Sequence, residues 1–159
     1  MREIPLTKGK FAIVDDDDFG AVSQFKWFCT SAGYACRNLY EDGQRTGYVY
    51  LHRALLGFPV ERVDHKNGNT LDCRKENLRV CSHKENMCNA KKRANARLSR
   101  FKGVSFEKRG KRWTAKIQNN GKRIHLGSFT DETSAAIAYN EAAKKLHGDF
   151  ARLNTLSGL

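Results

Sequence analysis

The sequence predicts an α+β protein made of small antiparallel sheets and short helices. Three observations predict this class. Residues 1–58 alternate apolar and polar side chains in short runs, residues 59–90 have the pattern strand–loop–strand–helix, and residues 101–154 have the pattern of three strands followed by one amphipathic helix. We therefore divide the 159 residues into a β-rich segment at 1–58, a motif at 59–90, a basic linker at 91–100 and a second domain at 101–159.

The first segment contains three apolar runs, Phe11–Val14, Phe25–Phe28 and Tyr48–Leu51, which are separated by turn signals. Such runs predict a small antiparallel sheet, and we expect it to pack with the motif that follows. The acidic run Asp15–Asp18 lies between the first two of them and leads into a turn signal at Asp18–Gly20. Because it lacks the spacing of a calcium-binding loop, we interpret it as a solvated loop.

The motif at 59–90 is predicted to form two strands and a helix. Val60–His65 reads as a strand, and Lys66–Asn69 reads as a turn because its Asn-Gly pair tolerates positive φ. Extended structure resumes over Asn77–Cys81. Ser82 then begins a helix, and Glu85 three residues later completes a capping box.

The motif carries side chains suited to hydrolysing a phosphodiester. That reaction needs a base for the attacking water and a cation that balances the charge on the phosphate. His65 can be the base near neutral pH, while Asp64 and the amide oxygen of Asn86 are hard ligands suited to Mg²⁺. Asn77 is placed to fix the loop and orient the base. Asn89 shares a helix face with Asn86 and competes for the ligand position.

The charge of the chain predicts a nucleic acid as its partner. There are 29 Lys and Arg residues against 17 Asp and Glu, giving a net charge of +12 and a pI near 9.7. The excess is concentrated between Arg74 and Arg123, which favours nucleic acid over a membrane surface. No apolar run approaches the ~20 residues of a membrane span, and the N-terminus lacks a signal-peptide pattern. We therefore expect a cytoplasmic location.

The five cysteines are never spaced as Cys-x-x-Cys, and in a reducing compartment they are expected to be free thiols. An alternative is a zinc site. Its ligands would be Cys73, Cys81, His83 and Cys88. Their types suit zinc, but their spacing matches no common zinc pattern.

The second domain has a different pattern of apolar and polar residues. Its strands are predicted at Val104–Phe106, Trp113–Gln118 and Lys122–Leu126. A helix capped by Thr130 or Asp131 is expected to end near His147, with an apolar stripe formed by Ala135, Tyr139, Ala142 and Leu146. This arrangement leaves one sheet face free for a partner. The linker lacks an apolar stripe and is rich in basic residues, so we expect it to follow a phosphate backbone.

The motif resembles the HNH endonucleases of the ββα-metal fold, specifically their phage and homing-type branch. The matching patterns are Val-Asp-His-x-Asn-Gly-Asn at 63–69, Arg-x-Glu-Asn-Leu-Arg at 74–79 and Asn-x-x-Asn at 86–89. The resemblance implies His65 as the general base, Asn77 as the middle letter of the motif, and Asp64 and Asn86 as ligands of one Mg²⁺ or another divalent cation such as Mn²⁺.

Further positions of the motif are possible secondary site residues: His52, His83 and Asn89. His52 matches a histidine that is common upstream in this branch. The third motif letter is Asn instead of His, so metal binding is expected to be weak without DNA phosphate.

The segment Phe101–Asn154 resembles the AP2 domain of plant ethylene-response factors. The resemblance rests on Phe101–Val104, Trp113–Ile117, Leu126–Phe129, Ala135–Tyr139, Ala142–Ala143 and Asn154. It implies a sheet face that enters the DNA major groove. The expected DNA-binding residues are Lys102, Arg109, Trp113, Lys116, Gln118, Arg123 and His125. Alternation along the strand equally allows Trp113 to be a core residue.

Together the two resemblances imply a metal-dependent, site-directed DNA endonuclease of phage or mobile-element type. We expect it to nick double-stranded DNA as a monomer, in a bacterial host or phage-infected cell, with no membrane partner and no small-molecule cofactor. Two alternatives stay open: a DNA-binding transcriptional regulator with an inactive HNH scaffold, and an RNA-binding or RNA-cleaving protein.

Overall fold

The computed structural model describes residues 1–92 and 99–156. The chain forms two compact units, Met1–Asn86 and Met87–Leu159. Most of the predicted linker, residues 93–98, lies outside the described residues. Within the described ranges, no helix is long and apolar enough to cross a membrane.

The first unit contains two small sheets ahead of the motif, where the sequence predicted one. Strands β1 (Arg2–Pro5) and β2 (Phe11–Val14) form an antiparallel pair. A three-stranded antiparallel sheet has the order β3 (Phe28–Cys29), β4 (Ala35–Glu41) and β5 (Gln44–Tyr50). Helix α1 (Asp16–Ser23) connects the two sheets, and α2 (Leu51–Leu55) follows β5.

The strand expected over Phe25–Phe28 begins only at Phe28, which corrects the prediction. The reason is Trp27, which is buried and whose indole nitrogen donates a hydrogen bond to the Val22 carbonyl at 2.8 Å. This bond ties the segment to the end of α1 instead of to a neighbouring strand.

The acidic run begins a helix instead of forming a solvated loop, which corrects a second prediction. Asp16, Asp17 and Asp18 lie in the first turn of α1, where carboxylates are favoured by the helix dipole. Lys75 fixes this helix end from the motif: its backbone N–H donates to Asp15 at 2.8 Å and its ammonium donates to Asp18 at 2.6 Å. The run therefore has a structural partner far along the chain.

The predicted strand–loop–strand–helix of the motif is confirmed. Strands β6 (Arg62–His65) and β7 (Leu78–Cys81) pair antiparallel and lead into α3 (His83–Asn89). The capping box is formed as expected: the Ser82 N–H donates to Glu85 Oε2 at 2.8 Å, and the Glu85 N–H donates to Ser82 Oγ at 3.2 Å.

The β-rich segment and the motif are in contact within the first unit. In β2, Ile13 donates its N–H to the Leu71 carbonyl and accepts from the Cys73 N–H, both at 2.8 Å. Cys73 also joins the apolar core of the unit, whose other buried members are Ile4, Ala12, Val14, Val22, Trp27, Ala35, Val49 and Leu51. The loop between β6 and β7 is thus held from outside the motif.

The second unit is a three-stranded antiparallel sheet backed by one helix, as predicted. The strand order is β8 (Val104–Glu107), β9 (Arg112–Asn119) and β10 (Lys122–Phe129), followed by α4 (Glu132–His147). Of the two predicted caps, Asp131 is the one used, since its carboxylate accepts from the Ser134 N–H at 2.7 Å.

The apolar stripe of α4 packs on the sheet. Ala135, Ala136, Tyr139 and Ala143 are buried against sheet residues that include Ala115 and Ile117. The approach is close at Gly103, where φ is +75° and an added Cβ would lie 2.0 Å from the Tyr139 ring. Small residues at this contact therefore allow the helix to sit on one sheet face and leave the other open.

Candidate active site

Asp64 and His65 occupy the last two positions of β6, and both are buried. Asp64 lies opposite Arg79 in the antiparallel pair. The Arg79 guanidinium donates to Asp64 Oδ2 from Nε at 2.9 Å and from Nη2 at 2.7 Å. The predicted base and the predicted carboxylate ligand are therefore adjacent at one strand end, with the carboxylate oriented by a charge-assisted pair.

The loop between β6 and β7 is held by Asn77, which is also buried. Its Oδ1 accepts from the Asn67 N–H at 3.0 Å, and its Nδ2 donates to the Asp72 carbonyl at 2.7 Å. One side chain therefore connects both sides of the loop to the start of β7. The role of Asn77 in orienting the base stays a prediction.

Asp72 is a second loop anchor, and the sequence reasoning missed it. Its carboxylate accepts from Asn67 Nδ2 and from Arg74 Nε and Nη2, each at 2.8 Å. These hydrogen bonds, those of Arg74 foremost, lower the pKa of the Asp72 carboxyl. In the sequence, the only sign of this anchor is that Asp72 and Arg74 lie two residues apart, and this spacing is too common to identify a loop anchor.

Burial lowers the pKa of His65 below its ordinary value of 6.5, although the charges of Asp64 and Asp72 act in the opposite direction. The imidazole is therefore neutral at pH 7. A neutral imidazole is the form that can accept a proton from water.

His52 lies beside His65 in a group of aromatic rings. The centroids of the two imidazoles are 5.0 Å apart, and Tyr50 stacks on His52 at 5.4 Å. Tyr34 completes the group, with its ring centroid 5.4 Å from that of His52. Burial, with a smaller influence from His65 and Arg53, lowers the pKa of His52 to about 3.

A cavity of about 240 Å³ opens beside these rings. It is lined by Tyr34, Tyr50, His52, Arg53, Arg62, Val63 and Asn86. Asn86 thus reaches the same space as His52, whereas Asn89 is buried and does not line the cavity. His83 is exposed at the first turn of α3.

The donor chemistry suits a hard divalent cation. Asp64 and Asn86 offer a carboxylate and an amide oxygen, which Mg²⁺ and Mn²⁺ accept together with water and phosphate oxygens. Among the described residues, no three His, Cys, Asp or Glu side chains form a group that could hold a metal ion. A cation here would therefore depend on an amide and on the substrate for part of its coordination.

The alternative zinc set is not supported at Cys73. This thiol is fully buried, and burial raises its pKa to about 12. Zinc binds the thiolate, so the environment of Cys73 opposes the form that zinc needs.

The open sheet face of the second unit is polar and basic. Strand register pairs Lys116 with His125 and Gln118 with Arg123, and residues paired in this way point to the same face. All four are exposed. The intervening Ile117 is buried under α4. These four predicted DNA contacts therefore form one surface.

Of the other three predicted DNA contacts, Lys102 lines a cavity together with Lys116, Gln118 and Arg123, whereas Trp113 and Arg109 lie away from this surface. Trp113 packs on the α4 side with its ring 5.0 Å from Phe106, which decides the open alternative in favour of the core. The Lys102 ammonium donates to the carbonyls of Cys88 at 2.6 Å and Ala90 at 2.8 Å, and burial lowers its pKa. Arg109 is exposed in the turn between β8 and β9.

Known proteins are similar both to the motif and to the second domain of this chain. A family model described as HNH endonuclease matches residues 58–88. A protein named as an uncharacterized HNH endonuclease of Acanthamoeba polyphaga mimivirus is 30% identical over 162 residues, covering 94% of this chain and 77% of that protein. No solved structure gives a significant match.

Plant proteins match a smaller part of the chain. Dehydration-responsive element-binding protein 2A of Arabidopsis thaliana is 48% identical over 62 residues, which is 38% of this chain and 18% of that protein. The AP2-like ethylene-responsive transcription factor TOE2 of Arabidopsis thaliana is 38% identical over 63 residues, which is 40% of this chain and 13% of that protein. Because the viral relative matches along most of both chains and the family model covers the motif, this chain belongs to the HNH endonuclease family.

Proposed function

We propose that this protein is a metal-dependent DNA endonuclease in which His65 takes the proton of the attacking water, and Asp64 and Asn86 hold one divalent cation. The observation that carries the proposal is the buried Asp64–His65 pair at the end of β6, beside a loop held by Asn77 and a cavity that Asn86 lines. Family membership supplies the reaction class.

The residues of the chain divide the work as follows. His65 is neutral and can accept a proton, and the nearby carboxylates of Asp64 and Asp72 stabilise the imidazolium that forms. Arg79 keeps the Asp64 carboxylate in place through its two hydrogen bonds. The cation, when bound, would balance negative charge on the phosphate and on the leaving oxygen. We propose Mg²⁺, since the donors are hard oxygens.

We further propose that the second unit binds double-stranded DNA through its open sheet face. Lys116, Gln118, Arg123 and His125 offer two fixed positive charges and polar groups that suit base edges in a major groove. The plant relatives are named as a transcription factor and an element-binding protein, which supports the same role for this unit.

The expected product is a nicked duplex, with the protein acting as a monomer. One motif supplies one base and one cation, and cutting both strands would need a second active site. The apolar stripe of α4 is used against its own sheet, so this helix offers no seam for a dimer.

A rival function is a DNA-binding regulator whose HNH motif is only a scaffold. Such a scaffold would not need a buried neutral His65 next to an oriented carboxylate. The geometry therefore favours a retained activity.

The deciding experiment is cleavage of supercoiled plasmid with Mg²⁺, with and without EDTA, by the parent protein, His65→Ala and His83→Ala. Loss of the base should lower the rate by ~10²–10⁴, while affinity for DNA measured in EDTA stays unchanged. His83→Ala is the matched control and also tests His83 as a secondary site residue: this histidine is exposed on α3 and is not among the described residues that line the cavity, so its variant should cut at the parent rate. Cleavage that survives EDTA, or His65→Ala that cuts at the parent rate, would overturn the mechanism.

A further inference from the structure

The cavity beside His65 has walls suited to an anion. Among the described residues, the charged side chains that line it are Arg53 and Arg62, and no carboxylate does so. A volume of about 240 Å³ exceeds that of several water molecules at about 30 Å³ each, so a phosphate group fits with solvent.

His52 contributes a ring nitrogen that has no partner in the described part of the chain. The side chain is 7% exposed, and within the described residues its Nδ1 is buried and has no hydrogen-bond partner. Buried polar atoms nearly always have a partner, and an exception requires an explanation. Tyr50 and His65 pack on His52 and hold its ring in place, so a partner for this nitrogen would have to enter through the cavity that His52 lines.

The two arginines of the cavity differ in their hydrogen bonds to the rest of the protein. Arg53 donates to the carbonyls of Pro59 and Glu61, which fixes its charge at the cavity. Arg62 is exposed, and its guanidinium forms no hydrogen bond or ion pair with the residues that the structure describes. It is therefore available to a ligand at the cavity, and arginine is well suited to phosphate.

We propose that this cavity is a subsite for a backbone phosphate of the DNA, in which His52 donates its Nδ1–H to a non-bridging oxygen and Arg62 supplies the opposing charge. The subsite rests on the proposed function, since DNA is the ligand. It would hold the strand beside His65 and so position the bond to be cut. His52 is thereby a phosphate-binding residue that leaves proton transfer to His65.

The first test uses full-length, metal-free protein with ¹⁵N-labelled histidine in EDTA. Long-range ¹H–¹⁵N spectra report the protonation of each imidazole nitrogen, and the His52 signals are identified by their loss in His52→Phe. Adding a short mixed-sequence duplex should shift the Nδ1 signal while that nitrogen keeps its proton. An unchanged His52 signal at saturating DNA would overturn the proposal.

The second test compares His52→Phe with His52→Asn by DNA affinity in EDTA. Phe keeps an aromatic ring against Tyr50 but removes the nitrogen, whereas Asn places an amide N–H near the position of Nδ1. Loss of a hydrogen bond to a charged group should weaken binding by about tenfold in the Phe variant, and Asn should restore most of it. A Phe variant that binds as the parent does, with the Asn variant impaired, would show a packing role only.

The third test uses Arg62→Gln, which replaces an exposed side chain and leaves the buried residues unchanged. If Arg62 contacts phosphate, the slope of log affinity against log salt should become shallower by about 0.9. Arg45→Gln is the matched control, since Arg45 is exposed in the same unit but does not line the cavity. An equal slope for the parent and Arg62→Gln would remove Arg62 from the subsite.

None of these measurements requires metal or cleavage. A parent protein that fails to cut plasmid, yet shows the His52 shift, would refute the endonuclease mechanism and leave the subsite standing. A parent that cuts, with no His52 shift and no change of slope, would refute the subsite alone.

Discussion

Acidification from pH 7 to pH 5 should destabilise the first unit by about 2 kcal/mol through His52 alone. Its pKa is about 3 in the folded protein, against an ordinary value of 6.5 for a solvated histidine. The unfolded chain therefore takes up a proton as the pH falls through 6.5, whereas the folded state does not. Stability is full above that pH and is lost progressively below it, down to about pH 3.

The magnitude follows from the size of the pKa difference. Each pH unit below 6.5 costs about 1.4 kcal/mol while the folded imidazole stays neutral. At pH 5 the interval is about 1.5 units, which gives the figure of about 2 kcal/mol. His65 has a pKa lowered by burial and should add a loss in the same direction.

The assay is urea unfolding in EDTA at both pH values, followed by tryptophan fluorescence, for the parent and for His52→Phe. Trp27 is buried in the first unit and reports its unfolding. The second unit is common to both proteins, so its transition cancels in the comparison. His52→Phe should lose about 2 kcal/mol less than the parent between pH 7 and pH 5. Equal losses in the two proteins would mean that His52 is not held neutral by the fold, and the reasoning would fail.

Three further outcomes are expected. Asp64→Asn and Asn86→Ala should each raise the Mg²⁺ concentration needed for half-maximal plasmid cleavage, because each substitution weakens a proposed metal ligand. If Asn89→Ala has a larger effect than Asn86→Ala, Asn89 and not Asn86 is the amide ligand. Lys116→Ala and Arg123→Ala should each weaken DNA binding by about 1–3 kcal/mol in fluorescence anisotropy if they read bases, and parent-like affinity in both would return the open sheet face to a structural role. Supercoiled plasmid should become open circle before linear DNA appears, and immediate linear product at low protein concentration would refute the expectation of a monomer.

Elements with local signals were predicted well. The capping box of Ser82 and Glu85, and the Asp131 cap of α4, each depend on residues three positions apart. The apolar stripe of α4 follows from helical periodicity alone. Such features are visible in a sequence because both partners lie within one turn.

Elements that depend on distant partners were predicted poorly. The first turn of α1 is held by Lys75, which lies 57 residues after Asp18, so a run of acidic residues that looked like a loop is helical. Trp27 is turned into the core by a bond to Val22, which shortens the strand expected there. The sequence around these residues contains no sign of either contact.

The sequence by itself determined the reaction class and the positions of the candidate site residues, because Asp64, His65, Asn77 and Asn86 form an ordered pattern within one short stretch. The tertiary structure decided what surrounds them. It brought His52 from α2 to within 5.0 Å of His65, ring centre to ring centre, and buried both imidazoles so that they stay neutral. It also placed Arg53 and Arg62 in the wall of one cavity, which has no carboxylate lining among the residues that the structure describes. Burial and unsatisfied hydrogen bonds are set by residues far apart in the chain, and for that reason only the folded structure reveals them.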